Sequence, residues 1–308
     1  MEEILNFFPE EIKQKIKQNL LEKLEEIRIR TNQPILLKNQ QTEKIIFYPV
    51  TTDTVLKILQ KICDNSIYSY QNQICNGFIT LNGGHRVGIT GNAVVKDGQV
   101  INVSYISSLN FRIARQIFNC SNETLSYILK PYTNDIYNTL IVSPPGMGKT
   151  TLLRDLVRRI SNGIPEMNFK GITVGVVDER GEISAMDKGI PQNDIGMRTD
   201  VIENISKPLG IKMLVRSMSP KVIVADEIGS KEDIEAIEYA ICSGVRGIFT
   251  AHGANIEELR KNPILTQLID KQIIDKILFL DNNRKIQLGY TKCKTNFNDN
   301  YNLKRVIS

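Results

Sequence analysis

Thr139-Leu140-Ile141-Val142-Ser143-Pro144-Pro145-Gly146-Met147-Gly148-Lys149-Thr150-Thr151 carries the residue types of a phosphate-binding loop. The P-loop pattern is Gly-x-x-x-x-Gly-Lys-Ser/Thr. Gly148, Lys149 and Thr150 meet it, and Ser143 stands where the first glycine belongs. Gly-Lys-Thr alone is a weak signal, and the surroundings strengthen it. Leu140 to Val142 read as a buried strand, while Leu152, Leu153, Leu156, Val157 and Ile160 recur at helical spacing up to an Asn162-Gly163 stop. Strand, loop and helix in that order bring backbone N–H groups and the positive end of a helix to a phosphate. Gly146 and Gly148 allow the backbone its close approach. Lys149 is expected to reach the β- and γ-phosphates, Thr150 to ligate Mg²⁺ and Thr151 to hold the α-phosphate side. The nucleotide cradle is therefore Ser143, Pro144, Pro145, Gly146, Met147, Gly148, Lys149, Thr150 and Thr151. The plain alternative is an ordinary Pro/Gly turn.

A second apolar run, Val222 to Ala225, ends in Asp226-Glu227, 77 residues beyond Lys149 (226 minus 149). At the carboxyl end of a central strand these two face the loop. Asp226 is the candidate to hold Mg²⁺ through a water, and Glu227 to orient and deprotonate the attacking water. A third strand, Val174 to Val177, ends in Asp178-Glu179-Arg180. Asp178 is a further candidate metal ligand, and a salt-bridged loop explains the same residues. A fourth strand ends Thr250-Ala251-His252, where Thr250 and His252 suit a γ-phosphate sensor. Arg198, Arg216 and Arg246 lie among these motifs. Phosphoryl transfer needs positive charge on the γ-phosphate, and a neighbouring subunit often supplies it. The sequence leaves open which of the three does so.

The elements that must position these residues change character along the chain. Residues 1–115 read as an α+β region. Its helix runs from Pro9 to about Leu24, with Ile12, Ile16, Leu20 and Leu24 on one face, packed on its own domain or lying on a membrane surface. Strands follow at 26–30, 35–37 and 45–48, then a helix from Thr52 to Cys63 with Val55, Leu56, Leu59 and Ile62 facing inward. A strand at 78–81 precedes a Gly83-Gly84-His85-Arg86 loop. A hairpin about Lys96-Asp97-Gly98 and a last strand at 109–114 complete the region. Residues 116–138 read as a linker with a short helix, Glu123 to Leu129. From Thr139 to the end, strands alternate with helices at Thr150–Ser161 and Lys231–Cys242, the signature of a mainly parallel sheet covered on both faces. A closing hairpin pairs 277–280 with 285–288 and turns at Asn282-Asn283.

Composition bounds the function classes. The chain is 308 residues long, with 41% hydrophobic and 24% charged residues and a formal net charge of +5. That charge permits a nucleic acid or an acidic membrane as partner without demanding either. No apolar run reaches a membrane-spanning length, and Met1-Glu2-Glu3 is unlike a secretory leader. Cys63, Cys75, Cys120, Cys242 and Cys293 are scattered, with no metal-binding or disulfide pattern, as suits a reducing cytosol. No guanine-reading Asn-Lys-x-Asp and no ABC signature follows the loop.

The order of P-loop, Asp178-Glu179, Glu227 and Thr250-Ala251-His252 resembles the secretion ATPases of type II and type IV systems. Asp226 departs from the glycine usual there. More specific is the resemblance to the family of stage III sporulation protein AA from endospore-forming bacteria. It rests on Leu24-Glu25-Glu26-Ile27-Arg28-Ile29-Arg30, Gly83-Gly84-His85-Arg86-Val87-Gly88, Ser108-Leu109-Asn110-Phe111-Arg112-Ile113-Ala114, the loop at 143–151 and Arg216-Ser217-Met218-Ser219-Pro220. The match spans nearly the whole chain. It implies a RecA-like α/β ATPase domain at 139–308 behind the smaller α+β domain, with ATP and Mg²⁺ as cofactors. It also implies a hexameric ring in the mother-cell cytoplasm, peripheral to membrane proteins of a channel complex between mother cell and forespore. A nucleic-acid-stimulated RecA-like ATPase is the rival reading. Against it, no aromatics interleave with Lys/Arg to stack bases. A non-catalytic ring is a third, disfavoured by the intact Lys149, Thr150, Asp226 and Glu227.

Overall fold

Apolar and charged residues alternate through Glu26-Ile27-Arg28-Ile29-Arg30, so one face of this strand must be buried. In the computed structural model, which describes residues 1–281 and 285–292, Ile27 and Ile29 are fully buried. The chain forms two units, one of residues 1–116 with 184–194, the other of 117–183 and the chain from 195 onward.

In the first unit the elements are α1 (Glu2–Leu5), α2 (Glu10–Gln18), β1 (Glu26–Arg30), β2 (Ile35–Lys38), β3 (Glu43–Ile46), α3 (Thr52–Ile62), α4 (Gln71–Cys75), β4 (Phe78–Thr80), β5 (Arg86–Lys96) and β6 (Gln99–Arg112). The strands make one antiparallel sheet in the order β3-β2-β1-β6-β5-β4. Phe8, Ile12, Ile16, Val55 and Leu59 pack against its inner face, where Phe8 meets Phe111 of β6. Three expectations are corrected here. Helix α2 stops at Gln18, because Asn19 caps it and turns its side-chain amide onto Lys15 O; Leu20 is exposed while Leu24 is buried. In α3 the buried set is Val55, Ile58, Leu59 and Ile62, the i, i+3, i+4, i+7 stripe, and Leu56 lies off it, exposed. Arg86 opens the strand β5 rather than closing a loop, and the last two expected strands are stretches of one long β6.

From residue 117 the order along the chain is α5 (Asn122–Ile128), β7 (Thr139–Ser143), α6 (Lys149–Asn162), β8 (Val174–Asp178), β9 (Met186–Asp187), β10 (Ile190–Pro191), β11 (Thr199–Glu203), α7 (Lys207–Ser217), β12 (Val222–Ala225), α8 (Lys231–Cys242), β13 (Arg246–His252), α9 (Ile256–Lys261), α10 (Pro263–Asp270), β14 (Lys276–Leu280) and β15 (Ile286–Thr291), all but β9 and β10 in the second unit. The short β9–β10 hairpin groups with the first unit, where Lys188 pairs with Asp64 at 2.9 Å. The remaining strands form a seven-stranded sheet, β11-β8-β12-β13-β7-β14-β15, parallel except where β15 closes antiparallel on β14. β7, β8 and β12 are buried along their whole length, as strands covered on both faces must be. Leu152, Leu153, Leu156 and Ile160 of α6 fill one face of the sheet; Ile211, Ile234, Ile237 and Leu268 of α7, α8 and α10 fill the other. Helix α8 starts on a reciprocal cap between Ser230 and Asp233. α7, β11, α9 and α10 were not anticipated from the sequence, and the expected turn at Asn282-Asn283 lies outside the described residues.

Candidate functional site

Parallel strands all end on the same edge of a sheet, so β7, β8, β12 and β13 deliver their last residues to one place. The loop after β7 turns on Gly146 (φ +77°) and Gly148 (φ +93°), both in the left-handed region that glycine tolerates. Gly148 caps α6, whose first residues are Lys149 and Thr150. Ser143, at the position of the missing glycine, is fully buried and donates its hydroxyl to Pro144 O at 3.0 Å.

Lys149 is 5% exposed. Its ammonium donates to Ser143 O (3.1 Å) and Pro144 O (3.3 Å) and stands 3.1 Å from His252 Nδ1. Burial pulls its pKa down, and the carboxylates of Asp226 and Glu227 oppose that shift. Thr150 Oγ1 donates to Asp226 Oδ2 at 2.5 Å, which joins the start of α6 to the end of β12. The other carboxylate oxygen, Asp226 Oδ1, receives the Thr250 hydroxyl.

Glu227 has a left-handed backbone, φ +53°, which side chains with a Cβ rarely adopt. Its N–H donates to Thr250 Oγ1 at 2.8 Å. Both its carboxylate oxygens have partners: Oε2 accepts from Arg180 Nη1 at 2.6 Å, and Oε1 lies 3.2 Å from His252 Nε2. Asp226, Glu227, Lys149, Thr150 and His252 thus form one linked group. Arg180 joins it, although the sequence offered it only as an ion-pair partner within its own acidic turn. Lys207, at the head of α7, pairs with Glu179 and was not singled out; no local pattern marks it.

Asp178 lines the same pocket as Asp226 and Glu227, while the three predicted arginines lie apart from this group. Asp178 is 3% exposed and uses both oxygens on its own loop, accepting from Glu182 N (2.8 Å) and Ile183 N (2.9 Å). Arg198 precedes β11 and donates to Ser161 O at 2.8 Å. Arg246 opens β13 and pairs with Asp135 at 2.9 Å, six residues and about 20 Å of strand away from His252. Arg216, near the end of α7, lies over the Tyr239 ring, 5.8 Å from its centroid. Arg198 and Arg246 sit at the amino ends of their strands, and α7 delivers Arg216 to the amino end of β12. All three therefore lie toward the sheet edge opposite the loop of their own unit.

Among the described residues no group of three or more His, Cys, Asp or Glu could hold a metal ion by itself. Thr150 and Asp226 offer hard oxygen donors in the small number Mg²⁺ takes from protein when a substrate's phosphates and water supply the rest.

Residues 1–292 match the family described as Sporulation stage III, protein AA. The chain belongs to this family. It is 39% identical over 284 residues to stage III sporulation protein AA of Bacillus subtilis (strain 168), covering 91% of both chains. It is also 25% identical over 232 residues to the ycf45 protein of Cyanidium caldarium, covering 75% of this chain and 61% of that one. The fold is similar to that of the ATPase DotB from Legionella pneumophila (TM-score 0.57, 14% identity, 91% of this chain and 79% of that one). It is similar too to the pilus retraction motor PilT (TM-score 0.56, 16% identity, 88% and 76%), whose crystal structure holds ADP. At such identities the likeness establishes the fold, a RecA-like α/β domain with an additional α+β unit.

Proposed function

We propose that this sporulation protein hydrolyses ATP with Mg²⁺ and works as a ring-forming motor. The observation that carries the reading is the 2.5 Å hydrogen bond from Thr150 to Asp226, which joins the phosphate-binding helix to the acidic strand end. A turn with no function would have no need to bring these two side chains together. In this reading the N–H groups of the loop and Lys149 grip the β- and γ-phosphates, and Lys149 leaves the carbonyls of Ser143 and Pro144 to do so. Thr150, and Asp226 through a water, would hold Mg²⁺, which would supply charge neutralisation on the phosphates. Glu227 takes the proton of the attacking water as the new phosphorus–oxygen bond forms and the bond to ADP breaks. The γ-phosphate draws His252 away from Glu227 and leaves Oε1 able to accept that proton.

The positive charge needed on the γ-phosphate comes in this reading from Arg198, Arg216 or Arg246 of a neighbouring subunit, which calls for a ring, by resemblance a hexamer. The ring would act in the mother-cell cytoplasm, peripheral to membrane proteins of a sporulation channel. No helix among the described residues is long and apolar enough to cross a membrane. The deciding experiment is Lys149→Ala: it abolishes binding of a fluorescent ATP analogue while the folded state is kept. Unchanged affinity would overturn the assignment of the loop.

One observation favours a second reading. The outer face of the first unit's sheet carries Arg28 and Arg30 of β1 beside Arg112 of β6, with Asn110 and Ser108 opposite the first two and Glu26 opposite Arg112, where it pairs with Arg28 at 3.0 Å and leaves a net positive face. A polyanion such as single-stranded nucleic acid suits such a face. A gel shift that weakens steeply with salt and a stimulated ATPase rate would select it.

A further inference from the structure

We propose that Thr250 is a positioning residue for the reaction at Glu227, fixing both carboxylates of the β12 end through one buried hydroxyl. The proposal rests on the ATPase reading above. Strand β12 leaves its ladder after Ala225, whose partner is Phe249. The next three residues are each tied to Thr250. Asp226 Oδ1 accepts the Thr250 hydroxyl, Thr250 Oγ1 accepts Glu227 N–H at 2.8 Å, and Thr250 O accepts Ile228 N–H at 2.8 Å. Thr250 is completely buried in β13, between β12 and β7, so its hydroxyl is held by the sheet itself.

The consequences differ for the two acids. Asp226 is gripped on one oxygen by Thr250 and on the other by Thr150, so hydroxyls from β13 and α6 set the plane of its carboxylate. Glu227 sits in a left-handed conformation that its own Cβ disfavours, and such a backbone persists only where its surroundings hold it. The hydroxyl of Thr250 is the holder. Without it, the Glu227 N–H keeps only the Asp226 Oδ1 contact at 3.1 Å, from the residue next door. The direction of the Glu227 carboxylate toward the reacting phosphate would then be lost with the turn. Buried within the sheet and with its hydroxyl engaged in this way, Thr250 acts through Asp226 and Glu227 rather than on the phosphate.

The test compares Thr250→Val, which keeps the β-branched shape and removes the hydroxyl, with Thr250→Ser, which keeps the hydroxyl. Full-length protein is assayed with ATP and Mg²⁺ beside binding of a fluorescent ATP analogue. Thr250→Val is expected to lower kcat about 10-fold or more, raise the Mg²⁺ concentration for half-maximal activity, and change analogue affinity less than about 3-fold. Thr250→Ser is expected to stay within about 3-fold of wild type. In a Glu227→Gln background Thr250→Val should cost less than it does in the wild type, because the part that acts through Glu227 is already lost and only the part through Asp226 remains. If Thr250→Val does not fold, Thr250→Ala must show the same split between turnover and binding. Wild-type turnover and Mg²⁺ dependence in the hydroxyl-free variants, or full additivity with Glu227→Gln, overturns the proposal alone. A wild-type protein that neither binds nor hydrolyses ATP overturns the ATPase reading, and this proposal with it.

Discussion

At Glu227 both carboxylate oxygens are taken, one by the guanidinium of Arg180 and one by the imidazole of His252. A carboxylate so engaged is held in place and restrained at once. Arg180 is mostly exposed, so its bond exchanges readily with water and contributes little to stability. The His252 link is the selective one, because the same ring also meets Lys149 and answers to whatever Lys149 binds. Replacing Glu227 by Gln keeps size and most hydrogen bonding and removes the proton acceptor. Steady-state kinetics should show ATP still bound and hydrolysis slowed ~10²-fold or more. Turnover at the wild-type rate would remove Glu227 from the role of base.

The elements around the site are fastened at the far edge of the sheet. Asp135, between α5 and β7, accepts from Arg246 at the start of β13 and from Lys130. Burial alone would raise the Asp135 pKa, but these two cations and the Ile136 N–H outweigh it and pull it down to about 2. The folded value lies below the ordinary 3.8, so the contribution to stability is complete above that pH and is lost as pH falls toward 2. With about a third of the Asp135 and Arg246 side chains exposed, the pair is worth about 1 kcal/mol after screening. Denaturant unfolding of Asp135→Asn should show roughly that loss at pH 7 and a smaller difference from wild type below pH 3. An equal difference at both pH values would contradict the assignment. Arg246→Ala should lose about the same stability at neutral pH, which has to be separated from any effect on hydrolysis.

At the scale of the whole molecule, Arg198, Arg216 and Arg246 lie away from the loop of their own unit, so if one of these three acts, it acts across a subunit boundary. Analytical ultracentrifugation should find a concentration-dependent oligomer favoured by ATP, with turnover per subunit rising alongside it. At least one of Arg198→Ala, Arg216→Ala and Arg246→Ala should spare ATP binding and lower hydrolysis. Mixing that variant with Glu227→Gln should restore part of the activity, because a mixed interface can pair an intact base with an intact arginine. A monomer fully active at every concentration, with all three arginines dispensable, would leave the ring without support.

The sequence by itself determined the parts whose signal is local. Strand β12 and helix α8 have the bounds expected, because an unbroken apolar run and a capped helical stripe are read within a dozen residues. The loop at 143–151 is legible for the same reason, since its glycines, lysine and threonine are adjacent. Helix α7 escaped because Pro208 and Gly210 interrupt a weakly amphipathic segment, and packing on the sheet decides its state. The first half of strand β5 escaped, although its second half was expected as a hairpin arm, because Gly88 and Gly91 interrupt the pattern until β6 pairs with the whole strand. The tertiary structure alone decided that Arg180 meets Glu227, 47 residues away, and that one hydroxyl on β13 meets both the Asp226 carboxylate and the Glu227 N–H just beyond β12. Hydrogen bonds between strands depend on sheet order and register, and β7, β8, β12 and β13 come together only when non-local pairing has set both.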